Sequence, residues 1–334
     1  MEIAFTEWVP ITDASSVGEV RRIALFAAQR LRFDETRAGE LALLATEASN
    51  NVLVHGGGGQ VVVVGTDDGS GPMARILAMD KGPGIADVTR AMGDGYSTAG
   101  TMGGGLGAMK RIATALEIFT GKAGTIVMLE LGQEQRADAL RIAGIALPYP
   151  GERFCGDAWS SYSAEGRTLA LLTDGLGHGW EAAEAAKEAV ATFQQRAELA
   201  PGQILQYVHD ALRKTRGAVA AIAEIRPKEQ ILIFAGVGNI YCSLFSGGAS
   251  RSFVSHNGTL GMNMSRIQEF RCDWPKDSLL VLHSDGVQSK WDFSAYAGLV
   301  TRHPAVIGGA LLRDFRRQRD DASVVVVKAA CTDV

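Results

Sequence analysis

Two sets of side chains in this 334-residue chain have the types and spacing to do chemistry. The first is a column: Glu47, Asn51 and His55 recur at intervals of four within TEASNNVLVHG. On an α-helix, residues four apart lie one above another on one face. A carboxylate and an amide stacked in this way can orient a hydroxyl or a water and hold a hard cation. The same triple also suits the solvated stripe of an amphipathic helix, and the motifs that follow it decide between the two. The second set is a group of aspartates where apolar strands begin or end: Asp157 in CGDAW, Asp174 in LLTDGLGHG, Asp285 in VLHSDG, and Asp320 with Asp321 in RDDASVVVV. One Asp-Gly after a strand is an ordinary turn. Several aimed at one point repel, and their burial requires compensating charge, which hard divalent cations supply. A pair of such ions can activate water for in-line attack on a phosphate ester with no covalent enzyme intermediate. The cysteines lie in no C-x5-R loop, which argues against a cysteine phosphatase.

These residues need elements to position them. In the first third, SSVGEVRRIALFAAQRLRF and TRAGELALLATEASNNVLVH have a helical period, while QVVVVGTD, ARILAMD and GTIVMLELG read as buried strands. The expected order is helix, helix, strand, strand, glycine-rich loop, helix, strand. ARILAMD delivers Asp80 from a strand into a turn fixed by Gly82, Pro83 and Gly84, where its carboxylate can accept from the exocyclic amine of adenine. Gly103, Gly104, Gly105, Leu106 and Gly107 then lead into the helix LGAMKRIATAL, so that backbone N–H groups and a helix N-terminus converge on an anion site suited to a triphosphate. In the second half, strands such as RTLALLTDG, QILIFAGVGNIYCSLF and DSLLVLHSDG alternate with a helix over EAAEAAKEAVATFQQRA, an α+β pattern with packed sheets.

Composition narrows the class. Glycine takes 40 of 334 positions and clusters at these loops, which implies close backbone approach. Hydrophobic residues make up 46% and charged residues 21%, ordinary for a globular chain with room for two domains. Net charge is −4 with no Lys/Arg-rich run, so neither nucleic acid nor an anionic membrane is the expected partner. No segment approaches 18 uninterrupted apolar residues and no basic leader precedes an apolar core, so a cytoplasmic location is expected. Cys155, Cys242, Cys272 and Cys331 are far apart and show no C-x-x-C spacing, which indicates neither a zinc site nor a disulfide framework.

Three ordered motifs make residues 1–132 resemble the GHKL ATPases, specifically the small serine kinases of bacterial anti-sigma-factor and stressosome switches (RsbT and SpoIIAB types). EASNNVLVH is similar to the N-box, DKGPGI to the G1 box, and GTMGGGLGAM to the glycine-rich lid and G2 box. Gly124-Thr125 matches the pair that helps enclose adenine. The resemblance implies a Bergerat α/β sandwich, with ATP bound through Asp80, Gly82, Gly84, Gly103 to Gly105, Leu106, Gly107 and Thr125. It implies Asn51 as the Mg²⁺ ligand and Glu47 as the residue that deprotonates the attacking hydroxyl, with Lys110 or a neighbouring base offsetting phosphoryl charge. His55 is expected to have a structural role, and Asn50, about 100° around the helix, to be a bystander.

From residue 140 to the C-terminus the chain resembles the metal-dependent serine/threonine phosphatases (PPM family), in the SpoIIE and RsbX branch, through G-D-x-W, D-G-x-G-H-G, FAGVGN, S-D-G and RDDAS. This implies an α-β-β-α sandwich holding two Mn²⁺ or Mg²⁺. Asp174 would bridge both ions with the Gly175 carbonyl, Asp157 would join the second, and Asp285 and Asp320 the first. Asp321 falls where the family varies. His178 is expected either to contact phosphate or water or to cap the next helix, and Asn239 to shape the site's edge; Arg153 is offered for the phosphate. Residues 133–139 read as a short linker.

The two resemblances together imply a bifunctional bacterial stress-signalling switch: an ATP-dependent Ser/Thr kinase and a metal-dependent phosphoserine/phosphothreonine phosphatase acting on STAS-domain partner proteins. Two alternatives remain open, an ATP-gated phosphatase whose first domain only senses nucleotide, and an anti-sigma protein that binds a sigma factor.

Overall fold

The computed structural model describes residues 2–67, 71–93, 105–132, 140–164, 166–264 and 266–329. The linker at 133–139, the glycines Gly103 and Gly104 and the end of the chain lie outside them. The chain forms two compact units, one of residues 1–136 with 301–313, the other of residues 137–300 with 314–334.

In the first unit, β1 (Glu2–Ile11), α1 (Ala14–Arg30), α2 (Glu35–Val54), β2 (Gly59–Asp67), β3 (Pro72–Asp80), α3 (Val88–Ala91), α4 (Gly105–Ile112), β4 (Ala115–Gly121) and β5 (Gly124–Gly132) follow in order. The strands make one antiparallel sheet, β1-β2-β3-β5-β4. Aspartates start both long helices: Asp13 accepts the amides of Ser15 and Ser16, and Asp34 that of Arg37. Apolar residues recurring at three and four, such as Leu41, Leu44, Ala45, Ala48 and Val52, then bury α2 against Val61, Val63, Ile76, Ala78 and Val127, which share one sheet face by strand alternation.

The other face of this sheet is buried as well. Arg75 and Glu130 pair there at 2.5 Å. Residues 301–313, which include most of α7 (Pro304–Phe315), pack on it. A Cβ on Gly309 would stand 2.7 Å from Leu77 Cδ2 and 3.1 Å from Met79 Sδ. The His303 amide donates to Glu117 at 3.0 Å, and the His303 ring lies 3.8 Å from Glu130.

Two strands depart from the sequence expectation. β1 was not anticipated, because the exposed Glu7 stands in phase with the buried Phe5, Val9 and Ile11 and Pro10 falls inside the run, which obscures the alternation. The expected helix LGAMKRIATAL stops at Ile112, since Thr114 donates its amide to Glu130 O at 2.8 Å and residues 115–121 become β4, paired along β5. Sheet pairing overrides the weak helical preference of that segment.

In the second unit, β6 (Arg141–Leu147), β7 (Asp157–Ala164), β8 (Arg167–Gly175), α5 (Trp180–Gln195), α6 (Pro201–Ala211), β9 (Ala218–Arg226), β10 (Ile231–Val237), β11 (Tyr241–Ser246), β12 (Ala249–Phe253), β13 (Glu269–Asp273), β14 (Leu279–His283) and β15 (Ala322–Lys328) build two five-stranded sheets, β13-β10-β9-β8-β7 and β12-β11-β14-β15-β6. The buried Trp159 of β7 packs on Gly144 of β6, where any side chain would overlap its indole. On the first sheet's other face, Leu169, Leu171 and Ile222 meet Ala185, Ala189 and Phe193 of α5 and Ile204, Leu205 and Val208 of α6. No helix among the described residues is long and apolar enough to cross a membrane.

Candidate functional site

The first unit holds a cavity of about 680 Å³, lined by Glu47, Asn50, Asn51, His55, Asp80, Gly84, Arg90, Gly105, Leu106 and Thr125 among others. The polar column of α2 therefore faces a concave space. The base of that column is the helix end: His55 is the C-cap of α2 and donates its amide to Asn51 O at 3.0 Å. A Cβ at Gly105 would lie 3.2 Å from Glu47 Oε2 and 3.7 Å from Asn51 Oδ1, so the start of α4 runs directly over the carboxylate and the amide. Asp80 is 8% exposed, and its Oδ1 accepts the amides of Gly82 at 2.8 Å and Thr125 at 3.1 Å. Both bonds go to one oxygen, so Oδ2 remains an acceptor for the cavity. Thr120 shares its hydroxyl between Thr125 at 3.0 Å and the Ile85 amide at 2.8 Å, which fastens the DKGPGI turn to β4 and β5. Gly84 has φ +82°, and a side chain there would strike the Gly121 carbonyl.

Gly82 and Gly107 are not among the lining residues; Gly82 acts through its amide on Asp80, and Gly107 is buried in α4. Lys110 is exposed and also absent from the lining. Arg90, which the sequence reading passed over, and Asn50, expected to be a bystander, both line the cavity. Arg90 sits on α3, whose cap Asp87 accepts the Arg90 amide at 2.9 Å, a D-x-x-R pattern that could have been read as a helix start.

The second unit gathers the aspartates. Asp157 at the start of β7 is the direct cross-strand partner of Asp174 near the end of β8. Asp157 is buried, and its Oδ2 accepts hydroxyls from Ser284 and Ser323, each at 2.6 Å. Those serines are tied together by the Ser323 amide, which donates to Ser284 Oγ at 3.0 Å, and by the Ser284 amide, which donates to Ser323 O at 3.1 Å. Asp285 and Asp321 are thereby held beside the same point. Asn239 donates to Asp285 Oδ2 at 2.7 Å. Asp321 Oδ1 accepts the Tyr149 amide at 2.7 Å, and the Asp321 amide donates to Asp320 Oδ1 at 3.0 Å. Close glycines make this possible: a side chain on Gly286 would overlap Asp321 O, and one on Gly175 would overlap Ala182 O.

The electrostatics follow from burial. Desolvation, and then the charges of Asp157, Asp285, Asp320 and Asp321, push Asp174 up to about 9. Burial raises Asp157 to about 7 against the opposing pull of Ser284 and Ser323. Asp320 and Asp321 are also raised, in each case chiefly by burial. Asp157 Oδ1 is buried without a hydrogen-bond partner, while Asp321 is held by the Gly156 amide and the Cys155 thiol as well as by Tyr149. Repelling carboxylates, one with an orphaned oxygen, form a donor set that fits hard divalent cations. Among the described residues no three His, Cys, Asp or Glu side chains cage an ion unaided. Backbone carbonyls and water would complete the six oxygens that Mg²⁺ takes. His178 is half exposed, 3.0 Å from Glu152 and stacked on Tyr149 with ring centroids 4.7 Å apart. Arg153 lies over Phe154 at 5.8 Å.

The sequence reading did not include Ser284 and Ser323. Ser284 directly precedes Asp285 and Ser323 follows Asp321 with one residue between, but only the adjacency of β14 and β15 turns both hydroxyls onto Asp157.

Comparison with known proteins matches residues 164–330, half the chain, to the family described as Stage II sporulation protein E (SpoIIE), and residues 11–131 to the histidine kinase-like ATPase domain. The chain is 30% identical over 107 residues to the serine/threonine-protein kinase RsbT of Bacillus subtilis (strain 168), covering 32% of this chain and 75% of that protein. It is 25% identical over 138 residues to the phosphoserine phosphatase RsbX of the same organism, covering 41% of this chain and 69% of that one. A crystal structure of RsbX in complex with magnesium superposes with a TM-score of 0.52 at 19% identity, over 64% of this chain and all of that one, which shows the shared fold.

Proposed function

Because the chain belongs to the SpoIIE family and carries a histidine kinase-like ATPase domain ahead of the SpoIIE region, a kinase–phosphatase fusion, we propose that it both adds phosphate to and removes it from a serine or threonine of a STAS-domain partner in a cytoplasmic stress switch. The observation that supports this reading is that each unit brings chemically apt groups together. Glu47 and Asn51 face a cavity with Asp80 in the first unit, and in the second Asp174, opposite Asp157 across the strand pair, lies within the repelling charges of Asp157, Asp285, Asp320 and Asp321.

In the first unit, Asp80 Oδ2 would accept from the exocyclic amine of ATP while its Oδ1 stays locked by the Gly82 and Thr125 amides. Asn51 Oδ1, a neutral hard oxygen, would hold Mg²⁺, and the N-terminal amides of α4 would face the phosphates. Glu47, beside Gly105, would take the proton of the partner's hydroxyl. In the second unit, Asp157, Asp174, Asp285 and Asp320, with the Gly175 carbonyl, would hold Mn²⁺ or Mg²⁺. Asp321 is aimed at the same place by Tyr149. When bound, the cations supply Lewis acidity to a phosphoryl group and to a water. The protein's own part is to fix the carboxylates: Ser284 and Ser323 keep Asp157 in place, and Asn239 orients Asp285.

One purified STAS-domain partner, incubated with labelled ATP and then with Mn²⁺ after ATP removal, tests both halves. Label gained in the first step and lost in the second is the expected outcome; a partner that neither gains nor loses label overturns it. Within the first unit, Asp80→Asn should weaken nucleotide binding by about tenfold or more, the worth of one charge-assisted hydrogen bond, as read by titration with a fluorescent ATP analogue.

A further inference from the structure

The side chains that border the aspartates of the second unit include several for which the chemistry above has no use. Leu176, directly after Gly175, is 36% exposed, Trp180, the first residue of α5, is 56% exposed, and Phe154, three residues before Asp157, is 39% exposed. Phe154 and Trp180 meet edge to face with centroids 5.0 Å apart, and the Arg153 guanidinium lies over the Phe154 ring. Two large rings held together in water, with a third exposed apolar side chain on the adjoining loop at the edge of a polar site, mark a place where something else binds.

The backbone beneath this ledge is fixed. The Leu176 amide donates to Gly217 O at 3.1 Å, joining the loop to the turn at 215–217, where Thr215 Oγ1 accepts the Gly217 amide at 3.0 Å. Gly177 lies against Gly156, whose Cβ position is 2.8 Å from Asp321 Oδ2, so the loop is continuous with the aspartate cluster. Arg216 stands at the apex of that turn beside Gly177, with its guanidinium paired to Glu181 of α5, and both partners are exposed. An exposed pair of this kind is weak and exchanges readily for another anion.

We propose that this rim is a docking surface for an acidic phosphorylated polypeptide segment. An apolar side chain next to the phosphorylated residue lies on Leu176, Trp180 and Phe154, while Arg216 exchanges Glu181 for an acidic side chain of the segment. The inference rests on the phosphatase reading above and adds a sequence preference to it. Charge complementarity favours this occupant: Arg153, over the Phe154 ring, forms no ion pair among the described residues, and Arg216, beside Gly177, holds only the exposed Glu181. A small phosphate ester would reach the aspartates and leave the ledge untouched.

The test uses the full chain with Mn²⁺ and three substrates: an acidic phosphoserine peptide with leucine beside the phosphoserine, the same peptide with alanine there, and p-nitrophenyl phosphate. The unsubstituted protein should favour the leucine peptide about tenfold in kcat/KM, mostly through KM, as expected for one aromatic hot spot. Trp180→Ala, with Phe154→Ala as a second variant, should abolish that preference and leave p-nitrophenyl phosphate turnover unchanged, and Arg216→Ala should reduce the salt dependence of peptide turnover. An absent preference, a preference that survives both ledge variants, or an equal loss on all three substrates overturns the docking surface. Anisotropy of a labelled peptide reads the same preference as binding. If the unsubstituted protein turns over no p-nitrophenyl phosphate, the phosphatase reading falls, while anisotropy still decides the docking surface.

Discussion

Asp174→Asn should lower phosphate release from a phosphoserine protein by on the order of a thousandfold, and the same substitution should stabilise the cation-free protein at alkaline pH. Both effects come from one fact: Asp174 is the carboxylate on which the other four converge, held at about 9 by burial and by their charges. Asparagine keeps the shape and one oxygen but cannot neutralise a cation, so the activity loss should appear at saturating Mn²⁺. The stability effect has the opposite sign. A carboxylate raised above its usual value of 3.8 binds its proton more tightly in the folded state, so its contribution is full below about pH 4 and is lost as pH climbs through the folded values of about 7 for Asp157 and about 9 for Asp174. In EDTA the melting temperature should therefore fall between pH 5 and pH 9; Mn²⁺ should flatten the fall, and Asp174→Asn should remove most of it. A melting temperature independent of pH in EDTA, or a variant that retains phosphatase activity, would contradict the assignment.

Glu47→Gln should reduce phosphoryl transfer to the partner by about 10²–10⁴-fold, the range for loss of a positioned general base, while leaving nucleotide affinity within a factor of about two. Glutamine fills the same space beside Gly105 and Asn51, so the cavity stays intact and only proton acceptance is lost. Quench measurements with labelled ATP separate this from a binding defect, and titration with a fluorescent nucleotide reports the cavity. Transfer at the unsubstituted rate would leave Glu47 without its role and favour a first unit that reads nucleotide and passes no phosphate.

Much of both candidate sites was legible because their residues are close in sequence to strong backbone signals. Glu47 and Asn51 follow from the period of α2, and Asp80 from a strand running into Gly82, Pro83 and Gly84. Asp157 and Asp174 flank strands whose apolar runs are plain, and the register then sets them opposite each other. The residues that were not legible depend on distant neighbours. Ser284 and Ser323 are ordinary polar residues until β14 and β15 pair. Arg90 reaches the cavity from a helix of four residues, too short for its period to be read from the sequence. β4 has the composition of a helix end and becomes a strand only because β5 offers it an edge.

The association of residues 301–313 with the first unit also bears on synthesis. Leu77 and Met79 pack against Gly309, and Glu130 and Glu117 meet His303, so these groups have no cover until the ribosome has translated well past the first unit's own sheet. The gap from Arg136 to Thr301 takes roughly 8–33 s at about 5–20 residues per second. For that interval the nascent chain presents an apolar strand face with a buried-type ion pair at its centre, and a chaperone that binds exposed apolar surface should be found on it in ribosome-bound intermediates that end before residue 301.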